Sequence, residues 1–137
     1  MISVASTSAN YILQPILLSK HKKSLEWLSA TVLWKRELAF FQKLLDKYAK
    51  NFSSTDDKKK VDHFQSFITY YNGELVNSLS TKLRLHEKSL ADMLETKNET
   101  KTEYFKEHDE LMRQLESVNT QFAHTKEELF DFIEKVM

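Results

Sequence analysis

Apolar residues recur along most of the chain at alternating steps of three and four, the spacing of a helix that packs along its whole length. The first such run predicts helix 1 over about 16–52. Pro15 marks its start, because the fixed φ of proline suits a first helical turn, where no N–H is needed. The run consists of Trp27, Thr31, Trp34, Leu38, Phe41, Leu45, Tyr48 and Phe52.

The second run predicts helix 2 over about 56–96. Ser54 and Asp57 form a capping-box pattern at its start. Between Leu75 and Leu83 the apolar spacing is one residue longer than a heptad, which indicates a local unwinding of the heptad pattern. The run consists of Val61, Phe64, Ile68, Tyr71, Leu75, Leu79, Leu83, His86, Leu90 and Met93.

Asn72-Gly73 is the one dipeptide in this segment that resembles a turn signal. Ile68, Tyr71 and Leu75 keep their phase across it, which favours a continuous helix with a kink or a close contact at Gly73. A helix broken at Gly73 is the alternative interpretation.

A third run follows nine consecutive polar residues, 95–103, and predicts helix 3 over about 100–137. Thr100 and Glu103 form a second capping-box pattern. A single helix over 56–137 is an alternative, although it would need a partner chain along its length. The third run consists of Tyr104, Leu111, Leu115, Val118, Phe122, Leu129, Phe132 and Val136.

Three helices of similar length predict an all-α fold, an up-down-up antiparallel three-helix bundle with coiled-coil-like spacing. The arrangement resembles a spectrin repeat in architecture only. One glycine and one proline leave too few turn formers for an all-β or α/β fold. We expect a single domain over 1–137, with 1–15 as a flexible or docked N-terminal segment.

The charges are balanced overall, with 20 basic and 20 acidic side chains, but they are unevenly placed. Helix 1 carries a net +5 and helix 3 a net −5, so the two helices attract each other as neighbours and help to select this topology. No basic face is left for nucleic acid. No stretch is apolar enough for a transmembrane segment, and the absence of cysteine fits a cytoplasmic location.

Helix 1 has more apolar residues than one packing stripe needs, and this surplus predicts an interface for protein association. The first hypothesis is a homodimer. Alternatives are docking of the N-terminal segment at 11–13, an unidentified protein partner, and peripheral membrane-surface binding through helix 1 by Trp27, Trp34 and Phe41. The predicted interface residues are Trp27, Leu33, Trp34, Phe40 and Leu44.

The sequence offers no nucleophile motif or phosphate loop, so we expect a non-catalytic protein without cofactors. If the chain reverses near Ser54 and Asn98, then His21, His86 and His108 share one layer. They would form a hydrogen-bonded polar layer, whose protonation loosens the bundle. The alternative is a metal site in which the three histidines bind zinc or another transition metal.

Overall fold

The computed structural model describes residues 15–96 and 102–137, and these ranges are helical almost throughout. No strand is present in them, which confirms the predicted all-α fold. The elements are α1 (Pro15–Tyr48), a 3-10 turn (Ala49–Asn51), α2 (Thr55–Tyr70), a π-helical turn (Tyr71–Leu75), α3 (Val76–Glu95) and α4 (Thr102–Glu134).

The first two helices begin at the predicted start signals. Pro15 is the first residue of α1, and Ser54 caps α2 by accepting the Asp57 N–H at 3.1 Å. Helix 1 ends at Tyr48, four residues before the predicted end, because the chain tightens into the 3-10 turn. The Thr100 cap and the N-terminal segment before Pro15 lie outside the described residues.

The π-helical turn explains the phase slip in the second run. Side chains at Ile68, Tyr71, Val76 and Leu79 are buried, so the spacing there is three, five and three. A π turn adds one residue to the helix, which accounts for the step of five. The slip therefore lies at Tyr71–Leu75, N-terminal to its predicted position, and Val76 replaces Leu75 in the core. The helix is not broken at Gly73.

A lysine from α1 stabilises this turn. A π turn frees a backbone carbonyl from its usual partner, and Lys35 Nζ donates to the Asn72 carbonyl at 3.1 Å. Lys35 Nζ also donates to Asn77 Oδ1 at 2.7 Å. The middle rod, α2 to α3, therefore runs continuously past the turn. The prediction of three helices counts this rod once, whereas the structure divides it into two α-helices, so residues 15–96 and 102–137 contain four α-helices.

Contacts between the three rods of the bundle, which are α1, the middle rod and α4, show the predicted up-down-up arrangement. Gln42 on α1 bonds to Gln65 on α2, and His21 bonds to Glu87 on α3, so α1 and the middle rod are antiparallel. The 2.9 Å contact of His86 with His108 and the 3.2 Å contact of Tyr71 with Gln121 make the middle rod antiparallel to α4. The alternative of one unbroken helix over 56–137 is wrong, because α3 and α4 pack side by side.

Buried apolar side chains form two clusters of unequal size. The end core lies near the end of α3 and the beginning of α4; it consists of Leu17, Leu90, Met93, Leu94 and Tyr104. The long core fills the rest of the bundle; it consists of Trp34, Leu38, Phe41, Leu45, Phe52, Phe64, Ile68, Tyr71, Val76, Leu79, Leu83, Leu111, Leu115, Val118, Phe122, Leu129, Phe132 and Ile133. Across 15–96 and 102–137, no helix has the length and hydropathy to cross a membrane.

Candidate functional site

The three predicted histidines lie at one level, between the long core and the end core. Their residues are almost fully buried: His21 is 8% exposed, His86 2% and His108 5%. Each comes from a different rod, which is the convergence that the predicted register requires. We call these three residues, together with Glu87, the histidine layer.

Two of the histidines are bonded directly to each other. His86 Nε2 lies 2.9 Å from His108 Nδ1, so one ring donates to the other. His86 Nδ1 is buried without a partner. An unpaired lone pair is tolerated better in a protein interior than an unpaired N–H. We therefore assign the His86 proton to Nε2, which donates to His108 Nδ1.

His21 has a different partner. Its Nδ1 lies 2.5 Å from Glu87 Oε2, and this contact is an ion pair when the imidazole is protonated. Glu87 is therefore the bonded partner of His21, whereas His86 and His108 are bonded to each other. Within the described ranges, no three histidine or carboxylate side chains are arranged as metal ligands. The structure therefore brings His21, His86 and His108 to one level but does not arrange them as the alternative metal site requires.

The surroundings of the bonded pair disfavour a positive charge. Burial, the His108 ring and Lys20 lower the pKa of His86 to about 4. Burial and Lys20 likewise lower the pKa of His108 to about 4, against a smaller opposing effect of Asp109. Both rings are therefore neutral at pH 7, and the layer contains one hydrogen bond between uncharged imidazoles.

Several polar atoms in and beside the layer are buried without partners. Tyr104 stacks on His86 with ring centroids 4.3 Å apart, and its hydroxyl has no hydrogen-bond partner. Burial and the Glu87 carboxylate raise the pKa of Tyr104 well above its usual range. Ser24 Oγ and Glu87 Oε1 are also unpaired. Each such atom loses its hydration without compensation, so this level of the bundle is less stable than an apolar layer would be.

The predicted interface residues on α1 divide into three groups by exposure. Leu33 and Phe40 are 56% and 53% exposed, as an interface role requires. Trp27 and Leu44 are half-buried against the long core. Trp34 is 4% exposed and packs edge-to-face on Phe122 at 6.1 Å. Trp34 as an interface residue is therefore wrong, because its place on the packing stripe turns it into the core.

Burial also removes two of the aromatic residues on which the membrane alternative depended. Trp34 and Phe41 are 4% and 3% exposed. An interfacial helix needs its aromatic side chains free to enter the headgroup region. Of the three aromatic residues, Trp27 alone is partly accessible.

Phe130 on α4 extends the exposed apolar surface of α1. It is 40% exposed, and its ring meets Phe41 edge-to-face at 5.3 Å. The Phe40 ring also lies near the Phe41 ring, with centroids 6.1 Å apart. Leu33, Phe40 and Leu44 share one side of α1, since seven residues make about two helical turns and four make about one. We call Leu33, Phe40, Leu44 and Phe130 the α1–α4 patch.

Charges of opposite sign flank the two halves of the patch. Arg36 and Lys43 lie one turn before and after Phe40 and are exposed. Glu127 and Glu134 flank Phe130 in the same way and are exposed too. In the described chain two ion pairs join α1 to α4: Lys20 with Asp109 at 4.0 Å and Lys126 with Glu37 at 3.0 Å. Much of the difference in net charge between α1 and α4 therefore remains on exposed side chains.

Comparisons with known protein families, with curated proteins and with solved structures gave no significant match. The functional argument therefore depends on the geometry of the histidine layer and of the α1–α4 patch.

Proposed function

We propose that the chain acts by protein association rather than by catalysis, and that a second copy of itself covers the α1–α4 patch. The observation that carries this proposal is the exposure of Leu33, Phe40 and Phe130 on neighbouring helices, with the Phe41 ring in contact with the rings of Phe40 and Phe130. Large apolar side chains grouped on a surface and rimmed by charged residues are typical of a protein–protein interface.

Burial of the patch supplies a driving force. Complete burial of a large apolar side chain stabilises by about 1.5–3 kcal/mol relative to full exposure. Leu33 and Phe40 are half-exposed in one chain, so each has roughly half of that energy to gain. In a symmetric dimer every contact occurs twice, which doubles the gain.

The flanking charges favour a second copy. A two-fold axis that runs along the groove between α1 and α4, parallel to the helices, places α1 of one protomer on α4 of its partner. Arg36 and Lys43 then face the acidic side chains beside Phe130, and the reciprocal contact repeats this. A dimer with α1 against α1 would instead bring cations together, which is unfavourable. The surface is therefore complementary to itself only in the α1-to-α4 orientation.

Sedimentation velocity on a patch variant tests the proposal. We expect the wild-type chain to sediment as a dimer at micromolar concentration. Replacement of Phe40→Ser with Phe130→Ser removes the two exposed rings and leaves Phe41 in the core. We expect this variant to sediment as a monomer with an unchanged helical circular dichroism spectrum.

Val32→Ser is the matched control. Val32 is 61% exposed on the same helix, but it lies on the side that faces α3. We expect this variant to remain a dimer. Dimers of the double patch variant would refute the proposed interface. A monomeric wild type that captures a different protein through Phe40 would assign the patch to another partner and refute self-association.

A further inference from the structure

The histidine layer separates the end core from the long core, and this position gives it a role that the patch does not explain. We propose that the layer is a pH-sensitive switch, in which protonation of the His86–His108 pair opens the end core while the long core stays folded. This inference goes beyond the proposed dimer, because no residue of the patch belongs to the layer.

Position makes a local opening possible. Five buried apolar side chains form the end core, whereas eighteen form the long core and extend along most of the bundle. Regions with few buried apolar contacts open at lower free energy than the whole protein unfolds. At the level between the two cores, His21 and Ser24 on α1 are buried polar residues. The end core can therefore separate without disrupting the aromatic contacts of the long core.

The bonded pair has no satisfied site for an additional proton. With the His86 proton on Nε2, an added proton must go to His86 Nδ1, which is buried and lacks an acceptor, or to His108 Nδ1, where it breaks the bond between the rings. Either event leaves an unsatisfied buried group and a charge in the interior.

Neighbouring groups do not fully neutralise that charge. Glu87 Oε2 is already bonded to His21, and Lys20 adds a second cation beside the pair. The Asp109 side chain is 66% exposed and lies 4.0 Å from Lys20, so solvent screens its attraction. The titratable and charged groups that face the pair are Lys20 and His21 from α1, Glu87 from α3, and Tyr104 and Asp109 from α4.

The expected size of the effect follows from linkage. A histidine with a pKa of about 4 in the closed form and the ordinary 6.5 in the open form favours opening as pH falls between these values. At pH 5 the opening equilibrium of the end core rises roughly 30-fold for one such histidine relative to neutral pH.

Hydrogen exchange with mass spectrometry on the full chain tests the switch. Exchange is compared at pH 7.5 and pH 5.0 after correction for the intrinsic rates. We expect amides of 86–95 and 102–108 to lose protection by at least about tenfold at pH 5.0. Amides of 38–45 and 115–122 in the long core exchange through global unfolding, so they should stay much better protected than the end-core amides at both pH values.

Two variants locate the effect. His86→Phe with His108→Leu keeps a ring stacked on Tyr104 and removes both titrating groups, so the end core should stay protected at pH 5.0. His63→Gln with His124→Gln removes two exposed histidines and should respond to pH as the wild type does. If the first variant does not fold, the wild type and the second variant still provide the test.

Three results would overturn the proposal. The first is equal protection of the end core at both pH values in the wild type. The second is equal protection of the end-core and long-core amides at pH 5.0, which would show global unfolding rather than a local opening. The third is a pH response that persists in His86→Phe with His108→Leu.

Discussion

The long core and the end core are built from the same three rods, yet they are stabilised differently. In the long core, aromatic rings touch one another in sequence, and the Tyr71 hydroxyl donates to Gln121 at 3.2 Å. In the end core and the adjoining histidine layer, the Tyr104 hydroxyl and His86 Nδ1 are buried without partners. Such uncompensated polar groups are expected to make this end of the bundle less stable than the long core.

This contrast assigns separate roles to the two regions. The long core supports the α1–α4 patch, because the ring of buried Phe41 contacts the rings of both Phe40 and Phe130. The histidine layer responds to protons at the opposite end of α4. An association surface on the stable region can therefore persist while the end core opens.

Truncation in the centre of the long core should have the largest effect. Phe122 is 1% exposed, so Phe122→Ala leaves a large cavity and should lower the free energy of unfolding by about 3–5 kcal/mol. Urea unfolding measures this loss. Leu85→Ala, at a residue that is 61% exposed, should change it by less than about 0.5 kcal/mol. The Phe122 ring contacts those of Trp34, Phe41, Phe67 and Tyr71.

The pH dependence of global stability should follow next in size. His86 and His108 have pKa values of about 4 in the folded chain and bind protons more readily when unfolded. The unfolded state therefore takes up more protons as pH falls from about 6.5 towards 4, and the folded state loses stability over that range.

The stability lost by pH 5 should be about 2 kcal/mol for one histidine. Chemical denaturation of the wild type and of His86→Phe with His108→Leu at pH 7.5 and 5.0 measures this loss. The difference between the two proteins isolates the layer from the carboxylates. Identical pH profiles for both would show that the pair makes no contribution.

A matched pair of tyrosines gives the smallest and most specific test. Tyr104→Phe removes a buried hydroxyl without a partner and should raise the free energy of unfolding by about 1 kcal/mol. Tyr71→Phe removes a hydroxyl that donates to Gln121 and should lower it by about 1 kcal/mol. Thermal unfolding of both variants checks the opposite signs. A loss of stability in Tyr104→Phe would show that its hydroxyl is satisfied.

Spacing alone predicted the rods and their register, because a packed helix must repeat its apolar residues with the period of the helix. The same register placed His21, His86 and His108 at one level. It also signalled the π turn as an extra residue, but not its position, since Leu75 and Val76 are equally apolar and only packing decides which is buried.

The spacing of apolar residues does not predict which side chains of the layer bond to each other. Glu87 occupies a position next to the packing stripe, and only the three-dimensional arrangement shows that it bonds to His21. The sequence pattern does not identify Phe130 for a similar reason. Phe130 lies off the packing stripe of α4, and only its ring contact with Phe41 places it next to α1. Trp34 was assigned to the interface although its place on the stripe already indicated the core.

The most direct test of the account is the molar mass of the untagged wild-type chain in solution. Size-exclusion chromatography with light scattering at several concentrations and neutral pH measures it. Self-association through the α1–α4 patch predicts a mass of twice the 16.2 kDa of one chain, decreasing towards 16.2 kDa on dilution. A mass of 16.2 kDa that is constant up to high micromolar concentration would contradict it.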